Sequence, residues 1–369
     1  MNTRLSRLVE LLQQQQIDAL VLNPGPTFTY LTTGLQMHLM ERPTVLFITS
    51  FGQAALVLPY LEKEKLAGLE LELQAFTYED DPATWGGAFR EAIEALGLAQ
   101  AKLAAEPSRL RLLELQFIQA DAPQAAILDG SPIVEGLRLK KDTQELAKMR
   151  EAAVIAQKAL VETLKHIHPG MSEKQIAAEL VIALYQAGSD MALPFEPIVS
   201  SGPNTANPHA APSERLLQEG DLLLFDWGAS KDGYFSDITR TFTVGEVEPE
   251  LQHIGEVVLA ANAKGREIAA PEMPAGAVDK AVRAVIESAG YGAYFTHRTG
   301  HGLGMEAHEA PYIFGANPQL LEPGMVFTIE PGIYLPGRGG VRIEDDVVIT
   351  EKGMHSLTDL PRAVVPYNT

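Results

Sequence analysis

The chain has 369 residues, contains no cysteine and has a formal net charge of −19 at neutral pH. The lack of cysteine excludes thiol catalysis, disulfide frameworks and thiolate zinc sites, and it is compatible with a reducing compartment. The acidic balance argues against a nucleic-acid partner, whose phosphates demand a basic surface, and the length exceeds the size at which a single core stops growing.

The chain begins with MNTRLSRLVELLQQQQIDALVLN, in which leucines recur at helical spacing among polar residues. This pattern predicts an amphipathic helix, and it fits neither a signal peptide nor a membrane span. We therefore expect no membrane association and, by default, a cytoplasmic location.

Residues 1–138 alternate helix-like and strand-like patterns, which predicts an α/β domain. Its apolar, strand-like runs are IDALVLN, TVLFITS, AALVLP, KLAAE and AAILDG. A second domain, residues 139–369, is expected because Asp142 and Glu145 offer the capping box that begins a long helix. Another helix is expected to begin at Ser172.

Two aspartates lie in GDLLLFDWGASKDGYFSDITRTFTVG, where apolar runs flank a turn signal at Lys231-Asp232-Gly233. Asp226 and Asp237 are equidistant from that turn. If the runs pair around it as a β-hairpin, the two carboxylates lie nearly opposite each other, with Cβ atoms roughly 4.5–5.5 Å apart, unless a bulge shifts the register.

Two glutamates further along the chain are also equally spaced from a turn. Glu330 ends MVFTIEP, Glu344 lies in GGVRIEDDVVIT, and both are equidistant from Gly337 within a turn-rich stretch. The sequence therefore predicts two hairpins that each present a pair of carboxylates. Arg342, two residues before Glu344 on the same strand, is expected to share its face and to orient that carboxylate.

Four carboxylates in one pocket repel one another, and divalent cations supply the compensation. With a single imidazole from His301, these oxygens suit Mn²⁺ or Co²⁺, while Zn²⁺ and Fe²⁺ are alternatives. Two such ions can share one water, lower its pKa and stabilise the oxyanion that forms when it attacks a carbonyl. We therefore predict a two-metal hydrolytic centre made of Asp226, Asp237, His301, Glu330 and Glu344.

Each of these acidic side chains, taken alone, is more often a solvated cap or a salt-bridge partner. The joint pattern favours a metal site because His297, His301 and His308 alternate with glycines in THRTGHGLGMEAHEAPY, and glycine lets backbone approach a ligand closely. The segment is neither the HExxH motif of helical zinc proteases nor a phosphate loop, since no lysine follows its glycines.

The segments DWG…DGYFSDITRTF, GHGLGMEAHE, FTIEPGIY and VRIEDDV, in this order, resemble the pita-bread metallopeptidases, and among them the Xaa-Pro peptidase branch. The family includes methionine aminopeptidases, aminopeptidase P, prolidases and creatinase. The resemblance implies an α+β fold, with a C-terminal pita-bread catalytic domain after a smaller α/β creatinase-type N-terminal domain. It also implies that the five residues of the predicted centre are the metal ligands.

The same resemblance implies three catalytic residues. His209, in SGPNTANPHAAPSE, would face the substrate, and His308 would hydrogen-bond the scissile carbonyl or stabilise its tetrahedral intermediate. Glu330 would also accept a proton from a metal-bridging water. Buried structural histidines are the alternative for His209 and His308.

Three further residues are expected to bind the substrate. His297 resembles a residue that lines the proline-side pocket of Xaa-Pro enzymes, with core packing as the alternative. Arg342 stands where Xaa-Pro peptidases have an arginine, and Tyr334, four residues beyond Glu330, is a similar case. For Arg342 the alternative is an ordinary surface position.

The segment NPGPTFTYLTTG resembles the start of the creatinase-type N-terminal domain, which methionine aminopeptidases generally lack. In the family this domain usually builds a homodimer and narrows access to the site, which suits short peptides. In some prolidases the loop that matches TTGLQMHLMERP covers the substrate of the partner subunit. For His38 in this loop we favour a packed structural side chain.

The sequence thus predicts a metallo-exopeptidase that hydrolyses the Xaa-Pro bond of dipeptides or short proline-containing peptides. Release of the N-terminal residue from longer peptides, as in aminopeptidase P, is the alternative, because Tyr312 stands where some prolidases have an arginine for the substrate carboxylate. Arg298 or Arg338 could substitute. Two other hypotheses are a hydrolase of non-peptide C–N or ester bonds and a catalytically silent binding relative.

Overall fold

The computed structural model describes residues 3–37 and 41–368, so that His38 lies outside the described residues. The chain divides into two compact units, Met1–Arg138 and Leu139–Thr369. All ten predicted site residues belong to the second unit.

The first unit contains a mixed β-sheet with helices. Its strands are β1 (Ala19–Leu22), β2 (Val45–Thr49), β3 (Ala54–Pro59), β4 (Gln74–Tyr78), β5 (Lys102–Ala105) and β6 (Ala126–Asp129). Its helices are α1 (Thr3–Gln14), α2 (Pro26–Leu31), α3 (Trp85–Leu96), α4 (Leu112–Asp121) and α5 (Ser131–Arg138). The sheet order is β4-β3-β2-β1-β5-β6, in which β2 is antiparallel to both of its neighbours and the other pairs are parallel.

The central strands of this sheet are apolar along their whole length because they are buried on both faces. Every residue of β1, β2 and β3 is buried, so their sequences read as continuous apolar runs and do not alternate. All five runs that the sequence predicted as strands are strands. The sixth strand, β4, is half-exposed and its sequence QAFTY contains no comparable run.

The helices of the second unit are α6 (Thr143–Leu164), α7 (Glu173–Gln186), α8 (Pro249–Ile268) and α9 (Ala275–Ser288). The predicted capping box begins α6, where the Asp142 and Glu145 side chains each accept a backbone N–H from the other residue. Ser172 and Gln175 form the same reciprocal pair at the start of α7. Over residues 3–37 and 41–368, every helix is too short or too polar to cross a membrane.

The strands of the second unit form several small sheets. They are β7 (Ile198–Ser201), β8 (Leu222–Trp227), β9 (Ser230–Lys231), β10 (Tyr234–Phe235), β11 (Ile238–Thr243), β12 (Gly300–Gly302), β13 (Glu309–Ile313), β14 (Val326–Ile329), β15 (Gly332–Leu335), β16 (Gly339–Arg342), β17 (Asp345–Thr350) and β18 (Gly353–Ser356). The larger sheets have the orders β11-β8-β7 and β13-β12-β14-β17-β18, while β9 pairs with β10 and β15 with β16. The predicted site residues lie in these strands and in the segments between them.

The hairpin of the two glutamates has the predicted register. Tyr334 pairs with Gly340 around the turn at Gly337, and the same register continues into β14 and β17, where Ile329 pairs with Asp345. Glu330 and Glu344 therefore face each other across the gap between two paired regions. The prediction for this hairpin is confirmed.

The hairpin of the two aspartates has a different register from the predicted one. The turn is formed by Asp232 and Gly233, both with positive φ, so its centre lies one residue later than assumed. Asp226 consequently pairs with Thr239, two residues away from the predicted partner, and Asp237 lies just before β11 begins. The prediction that the two aspartates are cross-strand partners is wrong.

Candidate metal centre and active site

A cavity of about 600 Å³ in the second unit brings the predicted site residues together. Nine of the ten line its wall, namely His209, Asp226, Asp237, His297, His301, His308, Glu330, Arg342 and Glu344. Tyr334 lies behind them and touches two of the nine through its hydroxyl. A larger cavity of about 850 Å³ in the same unit is lined mainly by apolar side chains and contains no predicted site residue.

Three side chains within this cavity are close enough to bind one cation. Asp237, His301 and Glu344 are buried, and each offers a ligand atom within 4.8 Å of the other two. Glu330 adjoins this group, with Oε1 3.5 Å from His301 Nε2. The His301 Nδ1 proton is donated to the carbonyl of Gly302 at 3.1 Å, which leaves Nε2 free to coordinate a metal.

Two aspartate oxygens in the cavity wall support the interpretation of this cluster as a metal site. Among the described residues, Asp226 Oδ1 and Asp237 Oδ1 are buried and accept no hydrogen bond. A buried polar atom left without a partner costs about 1–3 kcal/mol, and a carboxylate costs more. Two divalent cations would satisfy these oxygens, so the donor set fits the predicted metal pair.

The electrostatics of the carboxylates also favour bound cations. Burial raises the pKa of Asp237, and the neighbouring Glu344 adds to the rise. Burial likewise raises the pKa of Glu344, with Glu330 as the next cause, and it raises the pKa of Glu330 to about 7. Without cations the cluster would hold protons, because several negative charges cannot coexist in this cavity.

Arg342 contacts a different carboxylate from the one predicted. Its Nη2 donates to Asp226 Oδ2 at 2.5 Å, and its Nε donates to Thr239 Oγ1 at 3.0 Å. The Thr239 hydroxyl donates in turn to Glu344 Oε2 at 2.7 Å. Arg342 therefore orients Asp226 directly and reaches Glu344 through Thr239.

His297, Tyr334 and Arg342 form a hydrogen-bonded chain beside the metal centre. His297 Nδ1 lies 2.8 Å from the Arg298 carbonyl and so carries the ring proton, which makes Nε2 the acceptor of the Tyr334 hydroxyl at 2.8 Å. Tyr334 in turn accepts from Arg342 at 2.9 Å. Burial and the nearby Arg342 lower the pKa of His297 to about 4, so this imidazole is neutral at physiological pH.

The other two predicted histidines lie at the open side of the cavity. The His308 ring is 4.0 Å from the His301 ring, centroid to centroid, and is inclined to it by 65°. Burial, together with Arg298, lowers the pKa of His308, which favours the neutral ring. His209 is exposed on the segment that follows β7.

Two glycines around His301 allow close strand packing. A Cβ at Gly300 would lie 1.9 Å from the Thr328 carbonyl oxygen, and one at Gly302 would lie 2.2 Å from that of Ala310. Only glycine allows these close approaches. The glycines thus fix the position of His301 between neighbouring strands.

The structure adds supporting residues that were not predicted from the sequence. The Asp237 amide donates to Asp346 Oδ2 at 3.0 Å, and the Arg240 guanidinium donates to the Glu344 carbonyl at 2.6 Å. Arg240 also forms a buried ion pair with Asp345 at 2.9 Å. Asp346 has a sequence signal, because side chains two apart on a strand share a face and Glu344 stands two residues before it.

Helix α9 supports the histidine segment from behind. Asp279 accepts hydrogen bonds from the amide and hydroxyl of Thr299 at 3.0 and 2.8 Å. Arg283, one helical turn later, pairs with Asp279 and donates to the His297 carbonyl at 2.5 Å. These contacts are long-range, and no local pattern in the sequence indicates them.

Comparison with known proteins gives matches to both units. The model of the creatinase/prolidase N-terminal domain matches residues 4–140, and that of metallopeptidase family M24 matches residues 147–351. The probable dipeptidase PepE of Mycobacterium tuberculosis is 36% identical over 351 residues, which cover 94% of this chain and 91% of that protein.

Two solved structures are similar over nearly the whole chain. A dipeptidase from Pyrococcus horikoshii OT3 has 37% identity and a TM-score of 0.93, with coverage of 99% of this chain and 100% of that one. A prolidase from Thermococcus sibiricus has 34% identity and a TM-score of 0.93, with coverage of 99% and 98%. The matches therefore extend across both units.

Metal binding at pH 7 is expected to release protons, because cations displace protons that carboxylates with raised pKa still hold. Affinity should fall about tenfold per displaced proton for each pH unit below the pKa of about 7 at Glu330. Calorimetric titration of metal-free protein with Mn²⁺, in two buffers of different ionisation enthalpy, counts the released protons.

Glu330→Gln should reduce that count, whereas Glu196→Gln, which changes an exposed acid in the same cavity wall, should not. Equal binding heats in the two buffers would contradict the prediction.

Proposed function

Because the chain belongs to metallopeptidase family M24, we propose that it is a dinuclear metal-dependent exopeptidase that hydrolyses the Xaa-Pro bond of dipeptides or short peptides. The similarity to a dipeptidase and a prolidase over nearly the full length supports this substrate class. The observation that carries the proposal is the convergence of four carboxylates and one imidazole on a single cavity large enough for a small peptide.

We assign metal binding to Asp226, Asp237, His301, Glu330 and Glu344. Two divalent cations, Mn²⁺ or Co²⁺ by the chemistry of these donors and with Zn²⁺ or Fe²⁺ as alternatives, would supply a water of lowered pKa and polarise the scissile carbonyl. The unpartnered oxygens of Asp226 and Asp237 support a role for both aspartates.

The protein's own groups supply proton transfer and orientation. Glu330 faces the cavity and is assigned to take the proton from the attacking water. Neutral His308, beside His301, is assigned to donate a hydrogen bond to the carbonyl oxygen as it gains negative charge. His209 is assigned to contact the substrate from the exposed side of the cavity.

The chain of His297, Tyr334 and Arg342 is assigned to the proline side of the substrate. It presents a neutral imidazole, and its hydroxyl and guanidinium are already hydrogen-bonded within the chain. Such a wall can pack against an apolar ring without leaving a buried donor unpaired. Arg342 additionally holds Asp226 in place for the metals.

Arg298 favours a dipeptidase over an aminopeptidase P activity. Its side chain lines the cavity, and its guanidinium lies 4.6 Å above the Tyr312 ring. Over the described part of the chain it forms no ion pair. Arg338, by contrast, pairs with Glu248 and Glu250 outside this cavity. An unpaired cation in the cavity suits the free carboxylate of a dipeptide.

For the first unit we propose the family's usual role, a homodimer contact that restricts access to the site. We also propose a cytoplasmic location, which the cysteine-free composition supports. A hydrolase of non-peptide C–N or ester bonds and a non-catalytic binding protein remain the competing hypotheses, and no observation in the structure favours either.

The proposed activity is tested by removing metal, restoring Mn²⁺, Co²⁺ or Zn²⁺ separately, and analysing products from Ala-Pro, Ala-Pro-Ala and Met-Ala-Ser. We expect cleavage of Ala-Pro with at least one metal. Preference for Ala-Pro-Ala would indicate an aminopeptidase P activity, release of methionine would overturn the Xaa-Pro assignment, and no turnover would favour the competing hypotheses.

Asp237→Asn and Glu344→Gln should each weaken metal binding about tenfold or more and lower kcat by about a hundredfold or more, because each removes an anionic ligand. Metal content by elemental analysis and turnover of Ala-Pro check this. The matched control is Asp232→Asn, in the exposed turn five residues before Asp237. Normal metal content in both ligand variants would contradict the assignment.

Arg298→Ala should lower kcat/KM for Ala-Pro about ten- to a hundredfold more than for Ala-Pro-amide, because only the first substrate offers a carboxylate for a charge-assisted hydrogen bond. Steady-state kinetics on both peptides measure the ratio, and Arg338→Ala is the control for loss of a positive charge elsewhere. Equal losses on the two peptides would mean that Arg298 does not bind the carboxylate.

A further inference from the structure

The segment of residues 201–213, called here the His209 segment, connects β7 to the region before β8 and forms one edge of the cavity. It carries His209 on the cavity wall, and the carbonyl of the preceding Pro208 accepts a hydrogen bond from Arg342 Nη1 at 3.2 Å. Most of this segment is irregular, apart from a short 3₁₀ turn at Gly202–Ala206. A backbone hydrogen bond from the Lys174 amide to the Ser213 carbonyl at 3.1 Å holds its far end, and side-chain contacts add to this.

Glu173, in the first turn of α7, makes those contacts although it stands outside every motif in the sequence. At the start of the segment, its Oε1 accepts the amide and hydroxyl of Ser201 at 2.7 and 2.9 Å. The Asn204 amide group donates to both of its carboxylate oxygens at 3.0 and 3.1 Å. The side chain is completely buried.

The same carboxylate also holds the far end of the segment. Glu173 Oε2 accepts the amide and the hydroxyl of Ser213 at 3.0 and 2.6 Å. Six hydrogen bonds from three residues therefore converge on one buried anion. A carboxylate is suited to this role because it is acceptor-only, with two oxygens and about four lone-pair sites.

The neighbouring ion pair does not replace this contact. Arg215 pairs with Asp221 at 2.6 Å and donates to the Ser201 hydroxyl at 2.7 Å, which braces the outer side of the segment. It touches neither Asn204 nor Ser213 through its guanidinium. The Asn204 amide also donates to the Ser213 hydroxyl at 3.4 Å, and Glu173 contacts Ser201, Asn204 and Ser213 together.

We propose that Glu173 is a positioning residue for the reaction: it ties both ends of the His209 segment so that His209 and the Pro208 carbonyl keep their places beside Arg342 and the carboxylate cluster. This inference rests on the proposed function for its kinetic consequence, but the ordering of the segment is independent of it. A displacement of about 1 Å in such a group can cost about a hundredfold in rate.

Glu173→Gln is the informative variant, because the amide nitrogen it introduces is a donor and would face donors from Ser213 or Ser201. Hydrogen–deuterium exchange should become at least tenfold faster at the amides of residues 202–212 and should be unchanged in β12, β14 and β17. Mn²⁺ stoichiometry should also be unchanged, since no predicted ligand lies in the segment. Glu179→Gln on the same helix is the matched control.

The kinetic test is a double-mutant cycle with His209→Ala, measured as kcat/KM for Ala-Pro. Glu173→Gln alone should lower it about ten- to a hundredfold, and Glu173→Asp should restore part of the loss. In the His209→Ala background the same change should cost less than in the wild-type background, because one of the two groups that Glu173 positions is already absent. If the loss of kcat/KM in the double variant equals the product of the losses in the two single variants, the proposal is overturned.

Other outcomes also test the positioning role of Glu173. Exchange that rises throughout the second unit, or loss of bound Mn²⁺, would make Glu173 a general stability residue and overturn its positioning role. If Glu173→Gln does not fold, Ser213→Ala, which removes one donor at 2.6 Å, must loosen the same segment. If the wild-type protein cleaves no proline peptide, the proposed function fails, while the exchange experiment still accepts or rejects the ordering by Glu173.

Discussion

The second unit is organised around like charges that must be buried together. Asp237 and Glu344 are buried in one cavity, with Asp226 and Glu330 at its edge, and burial raises the pKa of three of these four carboxyls. Arg342 compensates one of them directly. The remaining negative charge requires either protons or cations, and the unpartnered oxygens in the wall favour cations. Rigid placement of these side chains is therefore the main demand on the fold.

The four carboxylates lie at or beside the ends of strands. Asp226 lies near the end of β8, Asp237 lies just before β11, and the two glutamates lie between paired strand regions. At the ends of paired strands, side chains no longer have to alternate between the two faces of one sheet. Side chains from different sheets can therefore converge there. The released backbone groups find specific partners instead, as in the hydrogen bond from Arg240 to the Glu344 carbonyl.

The polar groups around the cavity divide into two sets by charge. The acidic set is the one assigned to the metals, whereas the groups assigned to the substrate are neutral or cationic, including His297, His308 and Arg298. The low pKa of His297 follows from burial beside Arg342, and it prevents this imidazole from adding positive charge beside the carboxylate cluster. Glu173 lies outside both sets, because the hydrogen bonds of its carboxylate hold backbone and small side chains of the His209 segment.

The sequence by itself determined the local features and predicted residues that meet in one cavity. Capping boxes begin α6 and α7 where Asp142 and Ser172 predicted them, and five apolar runs are strands, because these features depend on neighbouring residues. The turn-centred register of the Glu330–Glu344 hairpin was predictable for the same reason. Only the tertiary structure decided the register around Asp232, the pairing of Arg342 with Asp226 and the six contacts of Glu173. The register depends on a one-residue choice of turn centre, whereas the contacts of Arg342 and Glu173 join segments that meet only after folding and that no local pattern encodes.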